Sequence, residues 1–589
     1  MGQLIRKDEL YFVGDNIFGK MISCTVMGLL GLNKLNSLYD GLSQYKGSQV
    51  AAKYIELLNI KIEAAQEELD NIPKSGPLVF VSNHPTGTLD GLILIHLLSQ
   101  VRPDVKFMGN MLLSRLEPLK EFFIEVNPFD NHSARNVGGI RSSMEHVQKG
   151  GALVIFPAGE ISTYKHPFAQ IKDKEWSSSV LKFIKKLAVP ITPIHITAHN
   201  SRMFHLCGMV HPLLRTAMIP HETTNKQDAK VRVRIGSVIQ PRRQSEFEKV
   251  ESFGMYLRTN VYSLSEPFVE SKETIEREVE LLDNITDSVS SDVLSQEVKT
   301  LDKFKLFDYG NYSVYFTTST IIPNIMHEIG RQREITFRQV GEGTNQDIDT
   351  DKFDIYYRHM FVWDNVDQQL VGAYRVGMGR EIMDNYGISG FYTDTLFKLS
   401  PKMGEVMSQT LELGRSFIVK KYQRKSQSLL LLWKGILHIL LKNENYRYLM
   451  GPVTMSGKLS DISKLMIINY LQEHHYAQDI SAMINPRIGL SGLEKKKFDK
   501  KSISNIDSIE LIDKIILDIN RNRFGTPILL KKYLQLNGKI VGFNTDPQFN
   551  NAIDALMLLD INNIPEQKIA MLSKELDIDV MSRFRKQRQ

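Results

Sequence analysis

The feature that most constrains the fold of this 589-residue chain is a short block in its first quarter, Val79-Phe80-Val81-Ser82-Asn83-His84-Pro85-Thr86-Gly87-Thr88-Leu89-Asp90-Gly91. An apolar run of β-type residues ends in a turn rich in Pro and Gly, and the apolar residues Leu92 to Leu98 read as a helix. In an α/β sheet this places His84 at the carboxyl end of a strand, the edge where ligands bind. Asp90, at the start of the helix, is close enough to turn back and hold one imidazole nitrogen. The other nitrogen is then free to take a proton from a hydroxyl, which is general-base chemistry by a His with an acidic orienter. No Ser or Cys nucleophile is needed if the acyl donor is already a thioester. A His–Asp spacing alone is equally that of an ordinary strand-end histidine.

A second block, Gly151-Ala152-Leu153-Val154-Ile155-Phe156-Pro157-Ala158-Gly159-Glu160-Ile161-Ser162, is another buried-type strand ending in a Pro/Gly turn with a carboxylate. Together the two blocks resemble the glycerophospholipid-type acyltransferase superfamily, and Pro190-Ile191-Thr192-Pro193 stands where its fourth block would be. The resemblance covers residues 50 to 240. It implies His84 and Asp90 as catalytic residues, with Asn83, Gly87, Phe156, Pro157, Gly159 and Glu160 lining the substrate site. Between His84 and Asp90 lie Pro85 to Leu89, one residue more than in the common form; this spacing resembles the hemolysin-like branch, which includes enzymes of amino-acid lipids. Val126 stands where phosphatidate-forming members carry an Arg, which argues against a lysophosphatidate acceptor unless Arg135 substitutes.

The chain is too long for one ordinary core, and its 42% hydrophobic and 24% charged residues are those of a globular protein. A net charge of +6 suits an anionic membrane surface, an acidic carrier protein or nucleic acid alike, so it selects none of them. Cys24 and Cys207 lie far apart and offer no metal-ligand spacing, which fits a reduced, intracellular protein. Neither a cleavable signal nor a membrane span is expected: Met21 to Leu32 is apolar but too short, and reads as a packed helix or an interfacial segment. The basic tail Arg583 to Arg588 is either solvated or adds attraction to anionic lipid.

Along the chain, residues 1 to 72 read as mainly helical, including Ile62 to Leu69. Val231 to Gly236 alternates as a half-exposed strand with its arginines facing water. The expected domains are 1–245, an O-acyltransferase domain with its N-terminal helical segment; 246–305, a charged helical connector; and 306–589. Leu429 to Leu441 reads as a buried helix, and Lys495 to Lys501 as an exposed charged segment.

The last domain carries Asp351-Lys352-Phe353-Asp354, then Val371-Gly372-Ala373-Tyr374-Arg375-Val376, then Leu411-Glu412-Leu413-Gly414-Arg415-Ser416. This order resembles acyl-homoserine-lactone synthases, GNAT-like enzymes that acylate an amino group from acyl carrier protein. Gly341-Glu342-Gly343-Thr344, Leu432-Trp433-Lys434-Gly435, Gly451-Pro452-Val453 and Phe543-Asn544-Thr545-Asp546-Pro547 bring it closer to ornithine-lipid N-acyltransferases. Aminolysis of a thioester needs a neutral amine, so Glu412 is the expected proton acceptor, with Asp351 and Asp354 orienting a cationic amino acid and Arg375 or Arg415 its carboxylate. The same residues are also able to pair with one another as a structural ion network.

The fold class expected is α/β, an N-terminal acyltransferase domain plus a C-terminal GNAT-like domain. The resemblances imply a bifunctional enzyme that acylates an amino acid, ornithine first among candidates, and then the 3-hydroxyl of the product. Acyl carrier protein would be donor and partner, an amino acid and a lipid surface the other partners, with no metal, no further cofactor and no nucleic acid. A cytoplasmic place, peripheral on the inner face of the bacterial membrane, follows from this. The alternatives are a lysophospholipid acyltransferase with a helper domain, a glycine, serine or glutamine lipid synthase, and a non-catalytic membrane scaffold.

Overall fold

The structure is a computed structural model that describes residues 31–109, 117–126, 134–163, 171–265, 285–490, 492–493, 506, 508–519, 524–549 and 551–573. Met21 to Leu32 in nearly all its length, Lys495 to Lys501, the tail Arg583 to Arg588 and the side chain of Arg135 lie outside the described residues. The chain divides into two compact units, Met1–Val269 and Glu270–Gln589.

In the first unit seven strands make one sheet: β1 (Lys61–Ala64), β2 (Leu78–Ser82), β3 (Lys106–Gly109), β4 (Phe123–Glu125), β5 (Ala152–Ile155), β6 (Ile191–Thr197) and β7 (Lys230–Ile235). Their order is β1-β7-β6-β2-β5-β3-β4. Pairing is parallel throughout except between β6 and β7. Central β2 is buried at every position, which is why it reads as an unbroken apolar run rather than an alternating one. The helix it feeds, Thr88–Leu98, is buried nearly all round and packs against the helix Ser48–Leu57. The two blocks noted in the sequence therefore sit side by side, since β2 pairs with β5.

Two expectations are corrected here. Residues 61 to 64 form an edge strand instead of a helix, because pairing of Lys61 to Ala64 with Lys230 to Val233 overrides a weak local helical pattern. Arg234 does not face water: β7 lies between β1 and β6, so Arg234 is buried and its Nε donates to Glu68 Oε1 at 2.9 Å.

The second unit holds an eight-stranded sheet of β8 (Lys305–Tyr309), β9 (Tyr312–Thr318), β10 (Arg358–Asp364), β11 (Gln369–Met378), β13 (Thr410–Ile418), β14 (Tyr448–Met455), β16 (Lys539–Asp546) and β17 (Ala552–Asp560). A small ribbon pairs β12 (Phe397–Leu399) with β15 (Ile484–Pro486). The large sheet runs β16-β17-β14-β13-β11-β10-β9-β8, with β13 and β14 its one parallel pair among the described strands. That pair covers Thr410 to Glu412 against Tyr448 to Met450 only. Beyond it β13 continues on β11 to Ile418 and β14 on β17 to Met455. Leu429 to Leu441 lies within the buried helix Ser426–Lys442, as expected.

The connector expected over 246–305 is narrower than its charge suggests. Helix Val250–Ser263 buries Phe253, Tyr256, Leu257 and Val261 within the first unit. Helix Ser291–Lys299 buries Leu294 and Val298 in the second, against Tyr315, Ile329 and Phe361. The apolar positions at helical spacing, not the surface charge, decide where these segments belong.

At the end of the parallel pair Gly451 meets β13 so closely that an added Cβ would lie 2.1 Å from the carbonyl oxygen of Leu413. Gly451→Ala is expected to lower stability by about 1–3 kcal/mol, since a backbone atom must move to make room. Gly414→Ala, with no atom within 4 Å of the added carbon, should cost less; the two are compared by chemical denaturation of the full chain.

Candidate active sites

His84 stands where β2 ends, and the turn after it folds Asp90 back beneath the ring. The imidazole Nδ1 lies 3.0 Å from Asp90 Oδ2. Asp90 is fully buried and also accepts from the backbone N–H groups of Thr86 (2.8 Å) and Gly87 (2.9 Å) and from the Thr86 hydroxyl. The carboxylate is thus held by three donors of the turn in a place beside one imidazole nitrogen. Gly87 is required by this turn: its φ is +89°, and an added Cβ would lie 2.6 Å from Ile161 Cδ1.

From the second block, Phe156 stacks on the His84 ring with centroids 4.2 Å apart. Pro157 and Gly159 shape the turn: Pro157 O accepts from Ser177 N, and Gly159, at φ +65°, donates to Phe156 O. Glu160 is bridged by Lys174 and Arg215, each at 2.8 Å. Burial raises its pKa, but the hydrogen bonds from Lys174 and Arg215 outweigh that and hold it below the usual carboxylate range. Asn83 is placed differently from expectation. Its side chain is a clamp between strands, donating to Ile196 O at 2.9 Å and accepting from Ile196 N at 2.8 Å, so both ends of the amide serve the fold.

The sequence reading missed Asp173. It is buried, accepts from His84 N at 3.2 Å, from the Ser162 hydroxyl and from Trp176 Nε1 at 3.1 Å, while Ser162 N donates to His84 O at 2.8 Å. This ties the loop of the second block to the backbone of the histidine. Asp173 lies 11 residues beyond Ser162 but 89 beyond His84, and the fold brings it to the histidine.

In the second unit the charged residues singled out from the sequence gather into one cluster. Arg375 donates to Asp351 at 2.6 Å and lies 3.4 Å from Asp354, which also accepts from Arg333 at 2.9 Å. The Arg375 guanidinium sits 5.2 to 5.5 Å from the ring centres of Tyr392, Tyr357 and Phe353. Burial opposes the charge on Asp354, yet Arg333 and Arg375 hold it well below the ordinary range. Asp351 and Asp354 are thus engaged with arginines and with each other's backbone, not presented as a free pair for a cationic substrate. Arg415 approaches Asp349 (3.4 Å) and Asp351 (3.6 Å) from a left-handed backbone position, φ +49°, next to a bulge in the β11–β13 pairing.

Glu412 also differs from expectation. It is buried at 1% exposure and accepts from the Tyr357 hydroxyl, the Thr393 hydroxyl, Thr393 N (2.6 Å) and Tyr392 N (3.1 Å). Four donors fill its two oxygens and tie it to Tyr357 and to the backbone of Tyr392 and Thr393.

Where β13 and β14 part, a cavity of about 320 Å³ opens. Gly414, Arg415 and Ser416 line it from β13, Pro452, Val453 and Thr454 from β14, and Tyr392 closes one side. Three carboxylates reach it as well: Glu342, Asp546 and Asp554. Asp554 accepts from the Thr454 hydroxyl at 2.8 Å. Burial, reinforced by Asp546 and opposed by Thr454 and Arg415, pushes Asp554 up to about 7. Burial and the Asp554 charge raise Glu342 to about 7 against the pull of Lys458. Such groups exchange protons at neutral pH, and a lone Asp inside the apolar run Ala552 to Leu559 was the sequence signal for one of them. Among the described residues no group of three or more His, Cys, Asp or Glu side chains forms a metal-binding set.

Family comparison agrees with this division. Residues 57–262 match a family model described as acyltransferase, and residues 332–434 one described as acetyltransferase (GNAT) domain. A glycine N(alpha)-acyltransferase of Bacteroides thetaiotaomicron is 28% identical over 301 residues, 49% of this chain and 88% of that protein. A lyso-glycine lipid O-acyltransferase of Phocaeicola vulgatus is 30% identical over 156 residues, 26% of this chain and 52% of that protein, about half its length. The chain is an enzyme, an α/β acyltransferase with one acyltransferase-type and one GNAT-type domain.

A carboxylate that titrates near 7 when folded, and at its ordinary value when unfolded, binds more protons folded than unfolded between those limits. It therefore lowers stability progressively as pH rises through that window. Asp554→Asn removes the effect, so the variant should match the wild type near pH 4 and exceed it by about 2–4 kcal/mol above pH 7. Chemical denaturation at both pH values checks this, and a difference independent of pH would contradict it.

Proposed function

We propose that this acyltransferase makes a diacylated amino-acid lipid in two successive transfers, first to an amine in the C-terminal unit and then to a hydroxyl in the N-terminal unit. The observation that carries the reading is the presence, in one chain, of a His–Asp pair at an α/β sheet edge and a carboxylate-lined cavity at a strand divergence. The names of the two relatives, one acting on an amine and one on a lyso-lipid hydroxyl, support the same pairing.

In the first transfer the amino acid lies in the cavity with its carboxylate toward Arg415 and its ammonium toward Asp554 and Glu342. The ionised carboxylate of that pair takes the ammonium proton. The neutral nitrogen then attacks the thioester carbonyl, the C–N bond forms as the C–S bond breaks, and the departing thiolate takes up the second proton that the nitrogen sheds on becoming an amide. Asp554 thus replaces Glu412 as proton acceptor, and Glu412 positions Tyr392 in the cavity wall. In the second transfer His84 takes the proton of the 3-hydroxyl on the new amide-linked chain, and Asp90 stabilises the imidazolium that forms. The alkoxide-like oxygen attacks the second thioester, and the imidazolium returns its proton to the leaving thiolate. The donors are thioesters of acyl carrier protein. The intermediate is an amphiphile, which favours work at a membrane surface and a peripheral position on the inner face of the cytoplasmic membrane.

Glycine is the head group favoured by the relatives. Ornithine is the second reading, favoured by three carboxylates against one arginine around the cavity, a surplus of negative charge that suits a cationic side chain.

Lipid mass spectrometry of a heterologous bacterial host, fed labelled glycine or labelled ornithine, tests the reading and names the head group. One amide-linked and one ester-linked chain on a labelled amino acid is expected; folded protein that yields no aminolipid would overturn it. His84→Ala should accumulate the mono-acylated amide and lose the ester by about 10²–10⁴-fold. Asp554→Asn should suppress both products, with partial return in Asp554→Glu. The N-acylation rate of the wild type should rise with pH through an apparent value near 7 belonging to the Asp554/Glu342 pair.

A further inference from the structure

The helical hairpin that follows β6 exposes an apolar face with no role in the chemistry above. In helix Arg202–Val210 the buried side chains are Phe204 and His205, while Met203, Leu206 and Val210, spaced three and four residues apart, stand 62%, 56% and 78% exposed. Met209 and, from the next helix Pro212–Ala217, Leu214 extend the same surface. Isolated exposed apolar residues are ordinary, but five within twelve residues on two helices that pack together are a concentration that calls for a partner. We propose that this hairpin is the surface by which the N-terminal unit enters an anionic lipid leaflet.

Charge selects lipid as the occupant. From Arg202 to His221 the chain contains two arginines, three histidines and no carboxylate. The first acid beyond it, Glu222, is buried, 2.8 Å from Lys226, and accepts from Ser201 N and from the Ser201 hydroxyl at the helix start. The face therefore presents Met, Leu and Val side chains flanked by the exposed Arg202, with no negative charge of its own to repel lipid phosphates. It exposes no aromatic side chain of the kind that anchors most protein–protein contacts, since the one aromatic ring of the two helices, Phe204, points inward.

The hairpin is also fixed to the site it would serve. Arg215 donates to Glu160 Oε2 at 2.8 Å, in the turn whose Phe156 stacks on His84. Close approach of Gly208 to Arg215, where an added Cβ would lie 3.0 Å from Arg215 Cδ, packs the two helices together. Insertion of this face brings the histidine to the depth of a lipid-borne hydroxyl without a separate docking step. In this role the inference rests on the proposed O-acylation; as a membrane surface it rests on the exposed residues alone.

The test is co-sedimentation of the full chain with phosphatidylethanolamine–phosphatidylglycerol vesicles and with phosphatidylcholine vesicles. Preferential binding to the anionic vesicles is expected, weakening with salt. Met203→Gln, Leu206→Gln and Val210→Gln together should lower the partition coefficient at least about tenfold while thermal unfolding and O-acylation of a short-chain, water-soluble hydroxy-amide are kept. If the triple variant fails to fold, Val210→Ser alone should still reduce binding. Unchanged binding in the variants overturns the proposal, as does a wild-type dimer that the variants convert to monomer, which would assign the face to a second copy. Normal vesicle binding with no O-acylation by the wild type would leave the surface standing and remove the proposed reaction.

Discussion

A guanidinium taken out of water must be surrounded by compensating charge, and the C-terminal unit is arranged around that requirement at Arg375. Its side chain is 1% exposed, hydrogen-bonded to Asp351 and enclosed by the rings of Phe353, Tyr357 and Tyr392. Arg333 from the helix Pro323–Val340 and Arg415 from β13 complete a cluster of three arginines with Asp349, Asp351 and Asp354. Removal of one partner from such a set leaves another charge buried without compensation, so the cluster holds its elements in one arrangement. Arg415 belongs both to this balanced cluster and to the cavity wall. The carboxylates across the cavity, Glu342 and Asp554, are raised to neutrality by burial and by acidic neighbours, against the pull of Lys458 on the one and of Thr454 and Arg415 on the other.

In the proposed reactions the two units prepare a proton acceptor by different means. In the first, a buried carboxylate well supplied with backbone donors stands 3.0 Å from one nitrogen of an imidazole. In the second, a carboxylate is carried up to about 7 by dehydration and by its acidic neighbours. In the proposed reactions Asp90 acts through His84, whereas Asp554, destabilised as an anion by burial, is itself the acceptor. The cost of the second arrangement falls on folding, a common exchange of stability for function.

Much of this was legible in the chain. The strand–turn–helix of residues 78 to 98 is visible because one local segment contains the apolar run, the turn residues and both members of the His–Asp pair. The paired blocks and the α/β character of both units follow from similar local patterns. What stayed hidden depends on distant partners. Glu412 looks like an accessible base until Tyr357 and Thr393, 55 and 19 residues away, fill its lone pairs. Asn83 looks like a substrate contact until Ile196, 113 residues on, takes both ends of its amide. Asp351, Asp354 and Arg375 are chemically suited either to a ligand or to each other, and composition alone does not choose. Asp173 is an ordinary aspartate in sequence, important only because the chain returns it to the His84 backbone.

The Asn83 clamp has a consequence for motion. Its oxygen seals the amide of Ile196 and its nitrogen occupies the carbonyl of the same residue, inside a sheet where β2 and β6 are otherwise joined by their own ladder. Strand separation at this point would expose an Asn side chain and a peptide group at once, so local opening beside His84 costs nearly as much as opening the sheet itself. The floor of the site is thus held by side-chain as well as ladder hydrogen bonds. In the proposed O-acylation, adjustment to acyl chains of different length then falls to the loops above β2 rather than to the end of the strand that leads into the histidine.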